Sequence, residues 1–368
     1  MKRDEILIDI FKTQMKYSLP LHCFVFLIAF MLSCSSKRTS NKPLSLTGKT
    51  SLKFSSGINE IFQDSDGSYW LGSTQEGVAV YDGESYQYFS TAQGLMDNQI
   101  RSIQEDANGI IWIETAHGIH SYDGSSLISQ TIADANESSI AWTKAPNDLW
   151  FGAGTQQGVY RFDGQVVSYL AFPNPEVINH PGEYLVNSFA LGKNNMHWFG
   201  TYDGVIGYDG EGFVVIDDQL LDRNKENGLL HVRSVLEDSQ GRLWIGNNGI
   251  GVMVREGDSI THFSKELDVL MPIKEFLTNT QSGQFANNTE LQSVFAIEED
   301  GDGNIWFGDR DTGAWKYDGQ SLKNYRINEN LKSQMVVDIY LDKQNNLLFG
   351  MAEGGVYRFN GESFDRMF

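Results

Sequence analysis

The stretch "GNIWFGDRDTGAWKYDG" (Gly303–Gly319) has apolar residues on both sides of a polar, Gly-containing turn and ends on an Asp-Gly corner. Two short antiparallel strands would be built this way. Near-copies recur at intervals of about 40 to 60 residues, a period that signals a repeat architecture. Their centres are "GSYWLG" (67–72), "GIIWIE" (109–114), "NDLWFG" (147–152), "NMHWFG" (195–200), "GRLWIG" (241–246), "GNIWFG" (303–308) and "NNLLFG" (345–350). The second has Glu114 in place of Gly, and the last has Leu348 in place of Trp.

Outward from each centre the unit reads as four strands. Apolar residues stand twelve and nine positions before the Trp, as in Ile58 and Ile61, Ile100 and Ile103, or Val232 and Val235. The third unit, around "SIAWTKAP", is one residue short. A polar corner such as "DSDG" or "DANG" precedes the Trp strand, and Asp, Asn and Gly there tolerate positive φ. A third strand runs to an Asp-Gly or Asn-Gly corner in six of seven units, and a fourth closes the sheet. One such sheet cannot bury both of its faces. Arranged radially, each sheet stacks on the next and no terminal caps are needed. The expected fold is all-β, a seven-bladed β-propeller of four-stranded antiparallel blades. Each Trp is then a wedge between blades, worth at most roughly 5 kcal/mol for about 200 Å2 buried.

The bulk numbers agree. Apolar content of 40% suffices for a large core, and 12% aromatics with 37 glycines favour short strands and tight turns. A formal charge of −20 argues against nucleic acid as a partner, because phosphate binding needs a basic surface.

Residues 1–33 read as an export signal. "LPLHCFVFLIAFML" (Leu19–Leu32) is shorter than the ~20 apolar residues a membrane span needs. It ends in "MLSC" (Met31–Cys34), which resembles the lipobox of bacterial lipoproteins, with Met31 where Leu is usual. That resemblance implies cleavage before Cys34 and acylation of Cys34, with Met15 as an alternative start. Residues 34–51 read as a flexible tether and 52–368 as the propeller. Cleavage also removes Cys23, so the exported domain is expected to hold no disulfide or thiolate metal site. The expected location is the cell envelope, with the chain held to a membrane by its lipid.

The combined pattern V-x-x-I-x-E-D, G-x-x-W-x-G-T, G-x-x-x-Y-D-G resembles the two-component regulator propeller repeat. "IRSIQEDANGIIWIETAHGIHSYDG" (100–124) and "VRSVLEDSQGRLWIGNNGIG" (232–251) carry it most fully, and the resemblance covers about residues 58–368. It implies a propeller like those in extracytoplasmic sensor regions, where small ligands, often oligosaccharides, are sensed. Such sensors continue into a further β-domain, a membrane span and a kinase, and the given sequence stops at the seventh unit. The sensor role therefore carries over as a binding role.

In a four-stranded blade, the loop from strand two to three and the link to the next blade share a face. The links 171–186, 217–231 and 264–292 are long and consecutive, so they are expected to crowd one side of that face. In the last, "MPIKEFLTN" would form one or two helical turns after Pro272. The candidate ligand-binding residues at the channel mouth are Arg101, Asn187, His231 and Arg233 from strand starts. His117, Tyr202, Asp203, Asn248 and Arg310 come from the loops. The arginines at strand starts also belong to the family pattern, which gives them a structural reading as hydrogen-bonders.

"DGDGN" (300–304) opens like a calcium loop, but Ile305 and Asp311 stand where Gly and Glu are needed, so it reads as a turn. The histidines show no metal-ligand spacing, and no cofactor or metal is expected. Three functions compete. The favoured one is a lipid-anchored, non-catalytic module that binds an oligosaccharide, small molecule or envelope protein. The second is an enzyme resembling streptogramin lyases, with His117, His231 and Asp203 as its groups. The third is an envelope assembly scaffold.

Overall fold

The computed structural model describes residues 51–133, 142–172, 185–282 and 289–368. They form a β-propeller of seven four-stranded sheets. Blade 1, for example, comprises Ile58–Gln63, Tyr69–Ser73, Val78–Tyr81 and Tyr86–Phe89, each strand pairing with the next in antiparallel register. Blade 3 departs from the expected antiparallel pattern. Its described strands are Leu149–Gly152, Gly158–Phe162 and Val167–Ala171, and the two-residue segment Ile132–Ala133 pairs parallel to the last of these. Of the stretch "SIAWTKAP", where the inner strand was expected, residues 139–141 lie outside the described set and residues 142–146 form no strand.

The turn before each Trp strand follows from one position. Three residues before the Trp, or before Leu348, stand Gly67, Gly109, Asn147, Asn195, Gly241, Gly303 and Asn345, and all seven have φ between 61° and 90°. Gly and Asn are the residues that reach this region at low cost.

The apolar pair spaced by three residues in each first strand breaks the two-residue rhythm of a sheet. A β-bulge resolves it. In six blades the register shifts between the first and third residues of that strand, as at Ile58/Glu60 and Val232/Ser234. The inserted residue lets both Ile58 and Ile61 face apolar neighbours, where they are buried.

The tryptophans are wedges, as expected. Trp70 packs with Ile100, Ile103 and Ile113 of blade 2, and Trp244 with Val294, Ile305 and Phe307 of blade 6. The two residues of the E-D pair each have a separate task. The Asp caps the indole of its own blade: Trp70 Nε1 donates to Asp64 at 2.8 Å, Trp112 to Asp106 at 3.1 Å, Trp244 to Asp238 at 2.8 Å and Trp306 to Asp300 at 2.7 Å. Asp300 belongs to the "DGDGN" stretch, whose structure is therefore a turn. The residue before the Asp latches onto the turn of the preceding blade. Glu105 accepts from Ser65 N at 2.7 Å, Glu237 from Lys193 N at 2.6 Å, Glu299 from Ser239 N at 2.6 Å and Gln63 from Lys343 N at 3.0 Å.

The glycine two residues after each Trp lets the neighbouring blade approach. A Cβ on Gly308 would lie 2.7 Å from Val336 Cγ1, and one on Gly72 2.6 Å from Ile100 Cγ2. In blade 2 the same position carries Glu114, whose buried carboxylate accepts from Ser102 Oγ at 2.9 Å and Gly152 N at 3.2 Å. Burial pushes this carboxyl up to about 7, against the opposing pull of those two hydrogen bonds.

The ring closes without strand exchange. Blade 7 takes all four strands from Val336–Leu341 to Phe364–Arg366, and residues 51–57 form no strand. Leu52 and Phe54 instead join Ile58, Leu71, Leu348, Val356 and Phe368 in one apolar cluster. Asp338 Oδ2 accepts from Ile61 N at 2.7 Å. Asp342, which has no indole in its own blade to cap, accepts from Tyr69 OH of blade 1 at 2.6 Å.

Candidate ligand-binding site

The antiparallel meander puts the loop between strands two and three on the same face as the links between blades. On that face the link after blade 4 folds back on itself: Leu230 N donates to Asp218 Oδ1 at 2.8 Å and Arg223 Nε to the Gly228 carbonyl at 2.9 Å. Gly228 has φ +89°, and a Cβ there would meet Ile250 Cγ2 at 2.4 Å, so the link lies tight against blade 5. The link after blade 5 carries the short helix Phe263–Glu266 and the ten-residue helix Ile273–Ser282. Glu275 N and Phe276 N donate to the Pro272 carbonyl, so the helix starts just after the proline and runs longer than the one or two turns expected.

Between these two links lies an open groove of about 510 Å3. Tyr202 and Asp203 line it from blade 4, Lys225 and Gly228–His231 from the first link, Asn248–Ile250 from blade 5, and Ile273, Phe276 and Leu277 from the helix. Ile273, Phe276 and Leu277 fall at helical spacing i, i+3 and i+4, so they share one side of the helix.

His231 lines the groove together with the titratable groups Asp203 and Lys225. Its ring centroid lies 5.0 Å from that of Tyr202. Burial, with the Arg233 charge beside it, pulls the imidazole down to about 4 against the opposing pull of Asp203, so the ring is neutral at pH 7. Its Nε2 is buried and has no hydrogen-bond partner among the described residues.

Four of the nine residues named from sequence, Tyr202, Asp203, His231 and Asn248, line this groove together. Arg233 stacks on Tyr202 at 5.1 Å, and Arg310 stacks on Phe276 at 5.4 Å while pairing with Asp311 at 2.9 Å. Asn187 ties adjacent blades instead, donating to the Val232 carbonyl at 2.9 Å, as Asn59 does to Ile100 at 3.3 Å. Arg101 is exposed on blade 2. His117 does not line the groove and pairs with Asp97 at 2.6 Å. Of the three long links, residues 173–184 of the first lie outside the described residues. The sequence reading missed the apolar wall of Leu230, Ile250, Ile273, Phe276 and Leu277, although the helical spacing of the last three was a visible signal. Among the described residues no cluster of His, Cys, Asp and Glu suits a metal ion. None of the described helices is long and apolar enough to cross a membrane.

The architecture is thus a seven-bladed propeller with one elaborated face. The family described as two component regulator propeller matches this chain at residues 94–115, 228–249 and 291–311. No curated protein matches the sequence. Among solved structures, the extracellular domain of a hybrid two-component system from Bacteroides thetaiotaomicron superposes with a TM-score of 0.62 at 19% identity, over 86% of this chain and 40% of its own. A virginiamycin B lyase from Staphylococcus aureus gives 0.59 at 13% identity, over 82% of this chain and 94% of its own. PorZ, a surface component of the type-IX secretion system of Porphyromonas gingivalis, gives 0.54 at 15%, over 84% and 48%. The chain therefore spans about two fifths of the sensor ectodomain, and at these identities the likeness is one of fold.

Proposed function

We propose that this propeller is a non-catalytic, extracytoplasmic binding module, tethered to a membrane through a lipid on Cys34, that holds a glycan fragment or similar small ligand in the groove beside His231. The observation that carries this reading is the groove itself. It combines an apolar wall, the Tyr202 ring and polar groups from separate blades, the composition ligand sites favour. The extracellular placement of the Bacteroides relative supports an envelope-facing role as an accessory to sensing or uptake. The lyase reading draws less support, because His117 pairs with Asp97 and does not line the groove that holds His231 and Asp203.

A second reading, docking of an envelope protein, draws on four exposed leucines carried by the same links, Leu220, Leu229, Leu267 and Leu277. Thermal-shift screening of an oligosaccharide panel against the wild type, Tyr202→Ala and Ile273→Asp separates the two. Stabilisation of the wild type that both substitutions remove supports the small-ligand reading. A panel without hits, together with capture of an envelope protein that Leu229→Asp abolishes, would replace it with the scaffold reading. Cys34→Ser is expected to move the chain from the membrane to the soluble fraction, and retention at the membrane would refute the anchor.

A further inference from the structure

The corner that ends the third strand breaks its pattern once. In six blades an aromatic residue precedes it: Tyr81, Tyr122, Phe162, Tyr208, Tyr317 or Phe359. Blade 5 has Arg255 there, followed by Glu256 and Gly257. The register is unchanged, since Arg255 stands opposite Leu243 as Tyr122 stands opposite Ile111 and Tyr317 opposite Ile305. Where the ring is present it meets the Trp of the preceding blade. Ring centroids lie 5.8 Å apart for Tyr122 and Trp70, 4.0 Å for Phe162 and Trp112, 6.0 Å for Tyr317 and Trp244, and 4.7 Å for Phe359 and Trp306. Trp198 of blade 4 has the Arg255 guanidinium at 5.6 Å in that place, and the apolar cluster around Trp198 contains no other ring.

The exchange leaves space. A cavity of about 220 Å3 opens here, lined by Lys193, Met196, Trp198, Gly241, Leu243 and Arg255. These turns and this corner belong to the face opposite the groove. Trp198 and Leu243 are buried and form the floor, while Lys193 is exposed and Met196, Gly241 and Arg255 are half-buried, so these four can be reached from solvent. Arg255 Nε donates to the Gly257 carbonyl at 2.9 Å, which holds the guanidinium beside the cavity. The one carboxylate in the lining, Glu237, is engaged at both oxygens, by Lys193 N at 2.6 Å and Trp198 Nε1 at 2.5 Å. Volume decides what fits. An apolar cavity of about 150 Å3 admits benzene, whereas sites for whole small molecules start at about 300 Å3. The slot has the size of one ring-bearing side chain.

We propose that this slot is a second binding site, which takes the aromatic side chain of a protein partner against the Arg255 guanidinium and Met196. The ring that blade 5 lacks is then supplied from outside. A guanidinium attracts the face of a ring, and an aromatic anchor in a small pocket is a common centre of protein interfaces. The site leaves the groove beside His231 free, so a ligand on one face and a partner on the other can be held together.

The test titrates the full chain with N-acetyl-tyrosinamide, N-acetyl-leucinamide and methyl β-glucoside, and follows the Met196 methyl and Trp198 Nε1–H resonances, with the Leu277 methyl reporting on the groove. The expected result is a saturable shift of the first two with the tyrosinamide, binding of the leucinamide about fivefold weaker, and a silent Leu277. Arg255→Tyr, which restores the ring of the other blades, should abolish the shift while melting holds or rises. Arg255→Gln, which keeps the length without the cation, should weaken the tyrosinamide about fivefold. Binding that survives Arg255→Tyr, or that is unchanged in Arg255→Gln, overturns the site. Equal binding of the leucinamide overturns the ring preference that the proposal requires. A shift with the glucoside alone assigns the slot to a sugar and overturns the protein partner, and no shift with any probe overturns the slot as a site.

Discussion

Replacing Asp238 with Ala removes the cap at the centre of blade 5. The side chain is fully buried, and its Oδ2 accepts from Trp244 Nε1 at 2.8 Å and Arg242 Nε at 2.6 Å. Its Oδ1 accepts from the backbone N–H groups of Gln240 and Arg242, both at 2.9 Å. Burial alone would raise this carboxyl, but the bonds from Trp244 and Arg242 outweigh it and hold the pKa below the ordinary value. Truncation strands the indole N–H inside the blade interface, at about 1–3 kcal/mol for an unsatisfied buried donor, and also releases the turn. The total is about 3–5 kcal/mol, comparable to breaking a buried charged pair. At about 2 °C per kcal/mol for a large domain, the melting temperature should fall by roughly 6–10 °C.

A double-mutant cycle with Trp244→Phe isolates the indole–carboxylate bond, with an expected coupling of about 1.5–3 kcal/mol. Blade 3 supplies an internal control. Lys144 stands where the Asp would be, and Trp150 Nε1 is buried with no partner among the described residues. Trp150→Phe is therefore expected to cost less than Trp244→Phe. Scanning calorimetry reads both. A melting shift under about 2 °C for Asp238→Ala, or a coupling near zero, would refute the assignment of the E-D pair as a structural device.

Gly308→Val would drive a Cβ to within 2.7 Å of Val336 Cγ1 and should destabilise the blade 6–7 interface by about 1–3 kcal/mol, read by urea titration. An unchanged midpoint would mean that the blades can separate freely at that point. Glu114 is expected to make the protein less stable as pH rises from 4.5 to 7. Its carboxyl is held near 7 when folded and near 4.5 when unfolded, so the folded state binds the extra proton in that window. The change approaches roughly 3 kcal/mol, and Glu114→Gln should flatten that part of the stability–pH curve. A curve of the same slope in the variant would assign the titration elsewhere.

The wheel was legible because its determinants are local and repeated: a Trp, a positive-φ residue three before it and a Gly two after it. The reason for the E-D pair was not legible, since Glu105 and Glu237 act on the turn of the preceding blade, tens of residues away in sequence. The bulge was present in the three-residue apolar spacing but has no residue signature of its own. At the site, Tyr202, Asp203, His231 and Asn248 were recoverable because blade geometry assigns loops to faces. Asn187, from a strand start, and His117, from a loop, were assigned to the same face, yet their side chains are taken up by Val232 and Asp97, a matter of side-chain direction that spacing does not encode. The third blade shows the limit of repetition, because Ile132–Ala133 adds to its edge in parallel, outside the pattern of the other units.

Hydrogen–deuterium exchange on the full chain, with and without the tightest oligosaccharide from the thermal-shift panel, tests the location of the binding surface most directly. Slowed exchange confined to 218–231 and 269–277 is the expected outcome. Slowed exchange at the Asp-Gly corners of the opposite face, 82–85, 123–126 and 318–321, with the two links unaffected, would contradict it.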